Sequence, residues 1–266
     1  MDALQNLHSY RQFLETIPLD WYRSQLKDVK WVEQDLYPEI VKVVLGSIFK
    51  NYWESKNFMD FETWFDQLWE ELNKEKILKR FTKYYFNLED VKENEWFKLG
   101  FKARMYRTWI SMLTQLDFCY AFDYACEKIG KKVKKEANVE LDMKGVDLKV
   151  GKIDFQVAKI SERKEARPGR QRGNKINIPY PVFNLKEYER KSKSLRVSYE
   201  NRKKYQNILK AFYKYYLVLN NGFVVFGDNF VEGIVKNLDN LEKLHEFINK
   251  VLAGFSGKVD VDIFSP

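Results

Sequence analysis

The chain has 266 residues, 45% of them hydrophobic, with 20 Phe, 16 Tyr and 7 Trp, enough apolar side chain to exclude a wholly disordered protein. The N-terminus, Met1-Asp2-Ala3-Leu4-Gln5, lacks the basic and apolar regions of a signal peptide, and no apolar run reaches the ~18–20 residues of a membrane helix, so a soluble, cytoplasmic protein with no membrane partner is expected. The net charge is +8, and with only two Cys and two His a zinc site lacks ligands.

The first 130 residues read as a mostly helical N-terminal region. All seven Trp fall at or before Trp109, and only Gly46 and Gly100 interrupt that stretch. Phe61, Trp64, Phe65, Leu68 and Trp69 repeat with the spacing of one helix face. A long helix is predicted from about Phe101 to Lys128, with a stripe through Met105, Trp109, Met112, Leu113, Leu116, Cys119 and Tyr120 and a glycine cap at Gly130. Aromatic stripes at helical spacing are read as core rather than chemistry. Cys119 and Cys126 share a helix face about 10 Å apart, too far for a disulfide, and are expected as buried free thiols.

Residues 131–266 read as an α/β core. Val146, Leu148 and Val150 alternate with Asp147 and Lys149, and Ile153, Phe155 and Val157 alternate with Asp154, Gln156 and Ala158. Period-two alternation on both sides of Gly151 predicts a hairpin with one packed face and one face presenting Asp147, Asp154 and Gln156. A basic segment, 159–204, follows, with fifteen Lys and Arg against five Glu. Its Pro168, Gly169, Gly173, Pro179 and Pro181 read as loop. A helix is predicted at about Lys203–Leu219, stopping at Asn220-Asn221-Gly222. Phe223–Phe226 reads as a short strand, Leu238–Leu252 as a helix and Lys258–Phe264 as a last strand. Strands separated by helices imply a mixed sheet with helices on its faces.

Carboxylates gathered at a strand bend form a hard oxygen site suited to Mg²⁺, and the adjoining basic segment points to a polyanion. Phosphodiester hydrolysis needs an activated water and relief of transition-state charge, which a carboxylate-held Mg²⁺ and a nearby lysine can supply. Asp147, Asp154 or Gln156, and Lys159 offer these parts, with Glu140 and Asp142 enlarging the acidic patch. The pattern Asp-x₆-Asp-x-Gln-x-x-Lys is weak by itself, and a charged surface hairpin is its plain alternative. Arg163, Lys164, Arg167, Arg170, Arg172, Asn174 and Lys175 are the candidate DNA contacts, arginine forks matching guanine edges, asparagine matching adenine and lysines matching phosphates.

Gly-Val-Asp followed by a strand ending Gln-Val-x-Lys resembles the PD-(D/E)XK nuclease core. More of the chain resembles the TaqI-like type II restriction endonucleases. The matching segments are Val32-Glu33-Gln34-Asp35-Leu36, the helix Gly100 to Trp109, Leu113-Thr114-Gln115, Phe118-Cys119-Tyr120 and Glu140-Leu141-Asp142-x₂-Gly145-Val146-Asp147. The resemblance implies an Asp-x₄-Asp pair needed for cleavage, matched by Asp142 and Asp147, together with Mg²⁺ dependence and the palindrome TCGA. It further implies a homodimer, since a palindrome is cut on both strands, and a cognate DNA methyltransferase as genetic partner. The strand's end departs from the pattern. Ala158 stands where (D/E)-x-Lys counted from Gln156 needs lysine, so either Gln156 replaces lysine after Asp154 or Gln156 and Lys159 act together. Strict alternation turns Lys159 to the opposite face, so the second choice requires a bulge or a strand end nearby. A structure-specific repair or recombination nuclease and a non-catalytic nucleic-acid-binding protein are the alternatives.

Overall fold

The computed structural model describes residues 2–74, 76–88, 94–160 and 174–256. The chain forms two compact units, one of His8–Leu116 with Leu219–Phe223, the other of Met1–Leu7, Asp117–Val218 and Val224–Pro266.

The first unit is helical. It contains α1 (Ala3–Glu15) from His8 onward, α2 (Leu19–Leu26), α3 (Pro38–Ile48) continued by the π-helical turn Phe49–Glu54, α4 (Phe61–Lys74), α5 (Ile77–Phe86) and the start of α6 (Glu95–Ile129). The stripe read from the sequence of α4 is its buried face, with Phe61, Trp64, Phe65, Leu68 and Trp69 all in the core. Trp64 stacks on Trp109 at 6.4 Å, and its indole N–H donates to Ser47 Oγ at 3.0 Å, so a large ring is buried without an unpaired donor. The irregular segment around Val32 is held against α6. Arg104 donates to the carbonyls of Val32 and Gln34, and Arg107 to that of Val29 at 3.2 Å and to Glu33. These bonds satisfy carbonyls that no ladder serves. Gly100 permits the approach: a Cβ there would lie 2.8 Å from Val32 Cγ2.

α6 starts at Glu95, six residues before the predicted start, and runs through Gly100. It ends as expected at Gly130, whose φ of +73° carries a Schellman motif: Lys131 N–H donates to Cys126 O at 2.9 Å and Gly130 N–H to Glu127 O at 3.0 Å. Both cysteines are free and buried.

The second unit follows α6 with β1 (Lys135–Glu136), α7 (Val139–Asp142), β2 (Leu148–Val150), β3 (Ile153–Ile160), β4 (Lys175–Pro181), α8 (Leu185–Lys193), α9 (Tyr199–Tyr215), β5 (Tyr216–Val218), β6 (Val224–Phe226), α10 (Asp228–Asn237) and α11 (Leu241–Ser256). Among the described residues the main sheet has the order β1-β2-β3-β4; β1/β2 and β2/β3 are antiparallel and β3/β4 parallel, a mixed sheet as expected. The two-residue turn Gly151-Lys152 joins β2 to β3, with Gly151 at φ +59°. Phe155 is fully buried between Phe118 and Phe122 of α6, with centroids at 5.9 and 6.0 Å, and this contact anchors the sheet. Asp117 Oδ2 accepts from Phe226 N–H at 2.8 Å, tying α6 to the β5/β6 pair.

Several expectations are corrected. Residues 175–181, read as loop, form β4. Their Pro179 and Pro181 are compatible with a strand because among the described residues β4 lies at the sheet's edge, where a missing N–H removes no second ladder. The helix predicted at 203–219 is α9, which ends at Tyr215; Tyr216–Val218 instead pairs with Val224–Phe226 across the turn at Gly222, φ +86°. α11 begins at Leu241 rather than Leu238 because the Asn240 side chain accepts from Lys243 N–H at 3.0 Å as an N-cap. The strand predicted at Lys258–Phe264 lies outside the described residues. No described helix is long and apolar enough to cross a membrane.

Candidate active site

α7 is one helical turn, started by Asn138, whose side chain accepts from Leu141 N–H at 3.0 Å. It is terminated by a second Schellman motif. Gly145 sits at φ +72°, its N–H donates to Asp142 O at 2.7 Å, and Val146 N–H donates to Leu141 O at 3.0 Å. The motif turns the chain directly into the approach to β2, so Asp142 at the end of the helix and Asp147 before the strand meet side chain to side chain in a hydrogen bond. The spacing Asp-x₄-Asp is thus the length of a helix stop.

Asp147 is 4% exposed. Its backbone N–H donates to Phe155 O at 2.8 Å, and its Oδ2 accepts from Val157 N–H at 2.5 Å, extending the β2/β3 ladder by one residue. Burial raises the Asp147 carboxyl to about 7; the Val157 N–H opposes that rise, the charge of Asp142 adds to it and the Lys175 ammonium lowers it. Asp142 is raised to about 6, again by burial, with the hydrogen bond from Asp147 working the other way. Two carboxyls hydrogen-bonded to each other, one buried and one half-buried, cannot both ionise cheaply without a cation.

Register fixes the remaining residues. Leu148 pairs with Phe155, Lys149 with Asp154 and Gln156 with Asn177, while Asp154 pairs with Lys175. Alternation therefore puts Asp147, Lys149, Asp154, Gln156, Lys175 and Asn177 on one face of the sheet. Gly145 lies under this face: a Cβ on it would be 3.3 Å from both Gln156 Nε2 and Lys175 Nζ. Asp142, Asp147, Gln156 and Lys175 accordingly converge at one point. Asp154 stands apart, with Lys149 Nζ 3.8 Å from its Oδ1. Among the described residues no group of three or more His, Cys, Asp or Glu gathers as a metal cluster.

Lys159 is not brought to the acidic face. β3 and β4 keep unbroken register from Asp154↔Lys175 to Ile160↔Pro181, so there is no bulge at Lys159 and alternation sends it to the other side, with β3 ending one residue later at Ile160. It is exposed, although desolvation by nearby atoms lowers its pKa; the open surface outweighs that shift, and no role as a base rests on it. Arg163, Lys164, Arg167, Arg170 and Arg172 lie outside the described residues. Asn174 is described at the start of β4, its carbonyl accepting from Asp154 N–H at 3.0 Å. Lys175 reads from the sequence as a DNA contact, and its position beside Asp147 is not legible there, because a parallel partner twenty-one residues beyond Asp154 leaves no local signal.

The donors present suit a hard divalent ion. The two carboxylates are all-oxygen ligands, few in number, and Mg²⁺ is commonly bound through one or two carboxylates while keeping several waters; Gln156, whose Nε2 faces the site, would add its oxygen by a turn of the amide. A buried Asp147 and a half-buried Asp142 beside a lysine, on a helix–strand junction of a mixed sheet, are parts that metal-assisted phosphate-ester hydrolysis can use. The profile of the TaqI restriction endonuclease family matches residues 7–238. The chain is 32% identical over 255 residues to the type II restriction enzyme TthHB8I of Thermus thermophilus, covering 91% of this chain and 89% of that protein. It is 31% identical over 252 residues to the type II restriction enzyme TaqI of Thermus aquaticus, covering 87% and 88%. No solved structure shows a significant match to this fold. The chain belongs to the TaqI restriction endonuclease family.

Proposed function

We propose that the protein is a Mg²⁺-dependent type II restriction endonuclease that hydrolyses both strands of DNA at a short palindrome, TCGA by its resemblance to the family, on a PD-(D/E)XK core. The observation that carries this reading is the hydrogen-bonded pair Asp142–Asp147, with Asp147 buried and Asp142 half-buried, beside Gln156 at the end of α7. Asp142, Asp147 and the Gln156 amide would hold Mg²⁺, which supplies charge neutralisation at the scissile phosphate and a more acidic water. The chain's own contribution is to orient these oxygens through the Asn138 cap, the Gly145 turn and the Val157 N–H, and to shield Asp147 from water. The basic segment 159–204 positions the duplex by phosphate contacts and reads base edges with its arginines. Cutting a palindrome symmetrically calls for a two-fold homodimer, and survival of the host's own sites calls for a cognate DNA methyltransferase in the same cytoplasm.

The test is digestion of plasmid DNA with Mg²⁺ followed by sequencing of the ends. Ends at one palindrome support the proposal, and ends at TCGA its finer form. Cleavage of branched DNA alone would mark a structure-specific nuclease, and intact plasmid at every temperature a binding protein. Asp147→Ala should abolish cutting while DNA binding persists.

A further inference from the structure

We infer that Lys175, on the neighbouring parallel strand, supplies the active-site cation that β3 itself lacks, with its ammonium on the scissile phosphate. The inference rests on the acidic face being the active site. On that face position 158 is Ala, and Lys159 alternates away in unbroken register. Lys175 stands beside Asp154 on β4 with its side chain on the same face as Gln156. Its Nζ and Gln156 Nε2 lie at equal distances, 3.3 Å, from the point where a Gly145 Cβ would be, and its charge reaches the Asp147 carboxyl. Among the described residues no carboxylate lies within ion-pair distance of Lys175, so no described salt bridge holds its charge.

The chemistry asked of it is electrostatic. Water adds to phosphorus and the P–O bond to the leaving sugar oxygen breaks with its electron pair. The attacking water releases a proton to solvent and the leaving oxygen takes one up. Lys175 keeps its proton throughout and offsets charge building on the non-bridging oxygens, the type of preorganised contact whose removal costs about 10²–10³ in rate. A lysine that merely positioned DNA would instead weaken binding.

The experiment uses the full chain with Lys175→Met, Lys175→Arg and Asp147→Ala. Cleavage of a duplex bearing the cut site is measured under single turnover, and affinity for that duplex in Ca²⁺. Mn²⁺ binding to the DNA-free protein is measured by calorimetry. Lys175→Met should cut about 10²–10³-fold more slowly with DNA affinity within about threefold of wild type. Lys175→Arg should recover at least tenfold of the loss. Lys175→Met should bind Mn²⁺ as tightly as wild type or tighter, because a cation beside the acid pair is gone, whereas a collapsed site would bind it more weakly. Near-normal cutting by Lys175→Met, or affinity falling in step with rate, overturns the inference. Should Lys175→Met not fold, Lys175→Gln is read by the same criteria. Asp147→Ala separates the two ideas. If it cuts normally, the site itself is wrong; if it is dead while Lys175→Met cuts, only the lysine assignment fails.

Discussion

In the metal-free protein, Asp147→Asn is expected to stabilise the fold at alkaline pH. Asparagine keeps the shape of the side chain and an oxygen to accept from Val157 N–H, but it has no charge to bury. The native carboxyl titrates at about 7 against an ordinary 3.8. At 1.36 kcal/mol per unit, ionising it inside the fold costs up to about 4 kcal/mol. The raised value gives the sign: the contribution is fully present below about pH 4 and lost as pH rises through about 7. Between about pH 5 and pH 8 the stability of Asp147→Asn relative to wild type should therefore grow by about 2–3 kcal/mol. Urea unfolding in EDTA of both proteins at the two pH values measures this; titrations remote from the site cancel in the comparison, whereas that of Asp142, coupled to Asp147, adds to the difference. Adding Mg²⁺ at pH 8 should stabilise wild type and leave the variant unmoved. A difference between the proteins that stays constant across the pH range would refute a desolvated acid at this position.

Gly145→Ala should lower both stability and cutting. The left-handed backbone costs a β-carbon about 1–2 kcal/mol, and the new methyl crowds Gln156 and Lys175 from 3.3 Å; melting curves and plasmid nicking read the two losses. Gly100→Ala should destabilise by about 1–3 kcal/mol, because its Cβ would meet Val32 Cγ2 at 2.8 Å and push the Arg104-bound segment off α6. Denaturant midpoints compared with Gly46→Ala, which has open space around it, check that the cost is steric.

The hairpin, the stripe of α4 and the cap at Gly130 were legible because each is encoded within a few residues by alternation, helical spacing or a glycine. The strand β4 was hidden for the opposite reason. Its prolines and charges carry the local signature of a loop, and only its place at the edge of the sheet makes them acceptable. α10 does leave a trace in the sequence: Asp228 opens it, and Phe230, Val231, Ile234 and Val235 repeat on one face. Of the candidate site, the shared face of Asp147, Asp154 and Gln156 follows from alternation, whereas the nearness of Lys175 depends on parallel pairing between distant segments. The separation of Asp154 from the Asp142–Asp147 pair is likewise beyond sequence spacing, which ranks neighbours by number and not by the fold of a helix end.

The Schellman turn at Gly145 ties the two acids to a count of peptide groups. Its bonds from Gly145 to Asp142 and from Val146 to Leu141 exist only for one number of intervening residues. The segment can therefore exchange side chains at positions 143 and 144 freely, yet gaining or losing a single residue there would unthread both bonds and swing one carboxyl away from the other. Divergence in this stretch is open to substitution and closed to insertion, and a homologue with a longer or shorter gap would need a different way of assembling its acid pair.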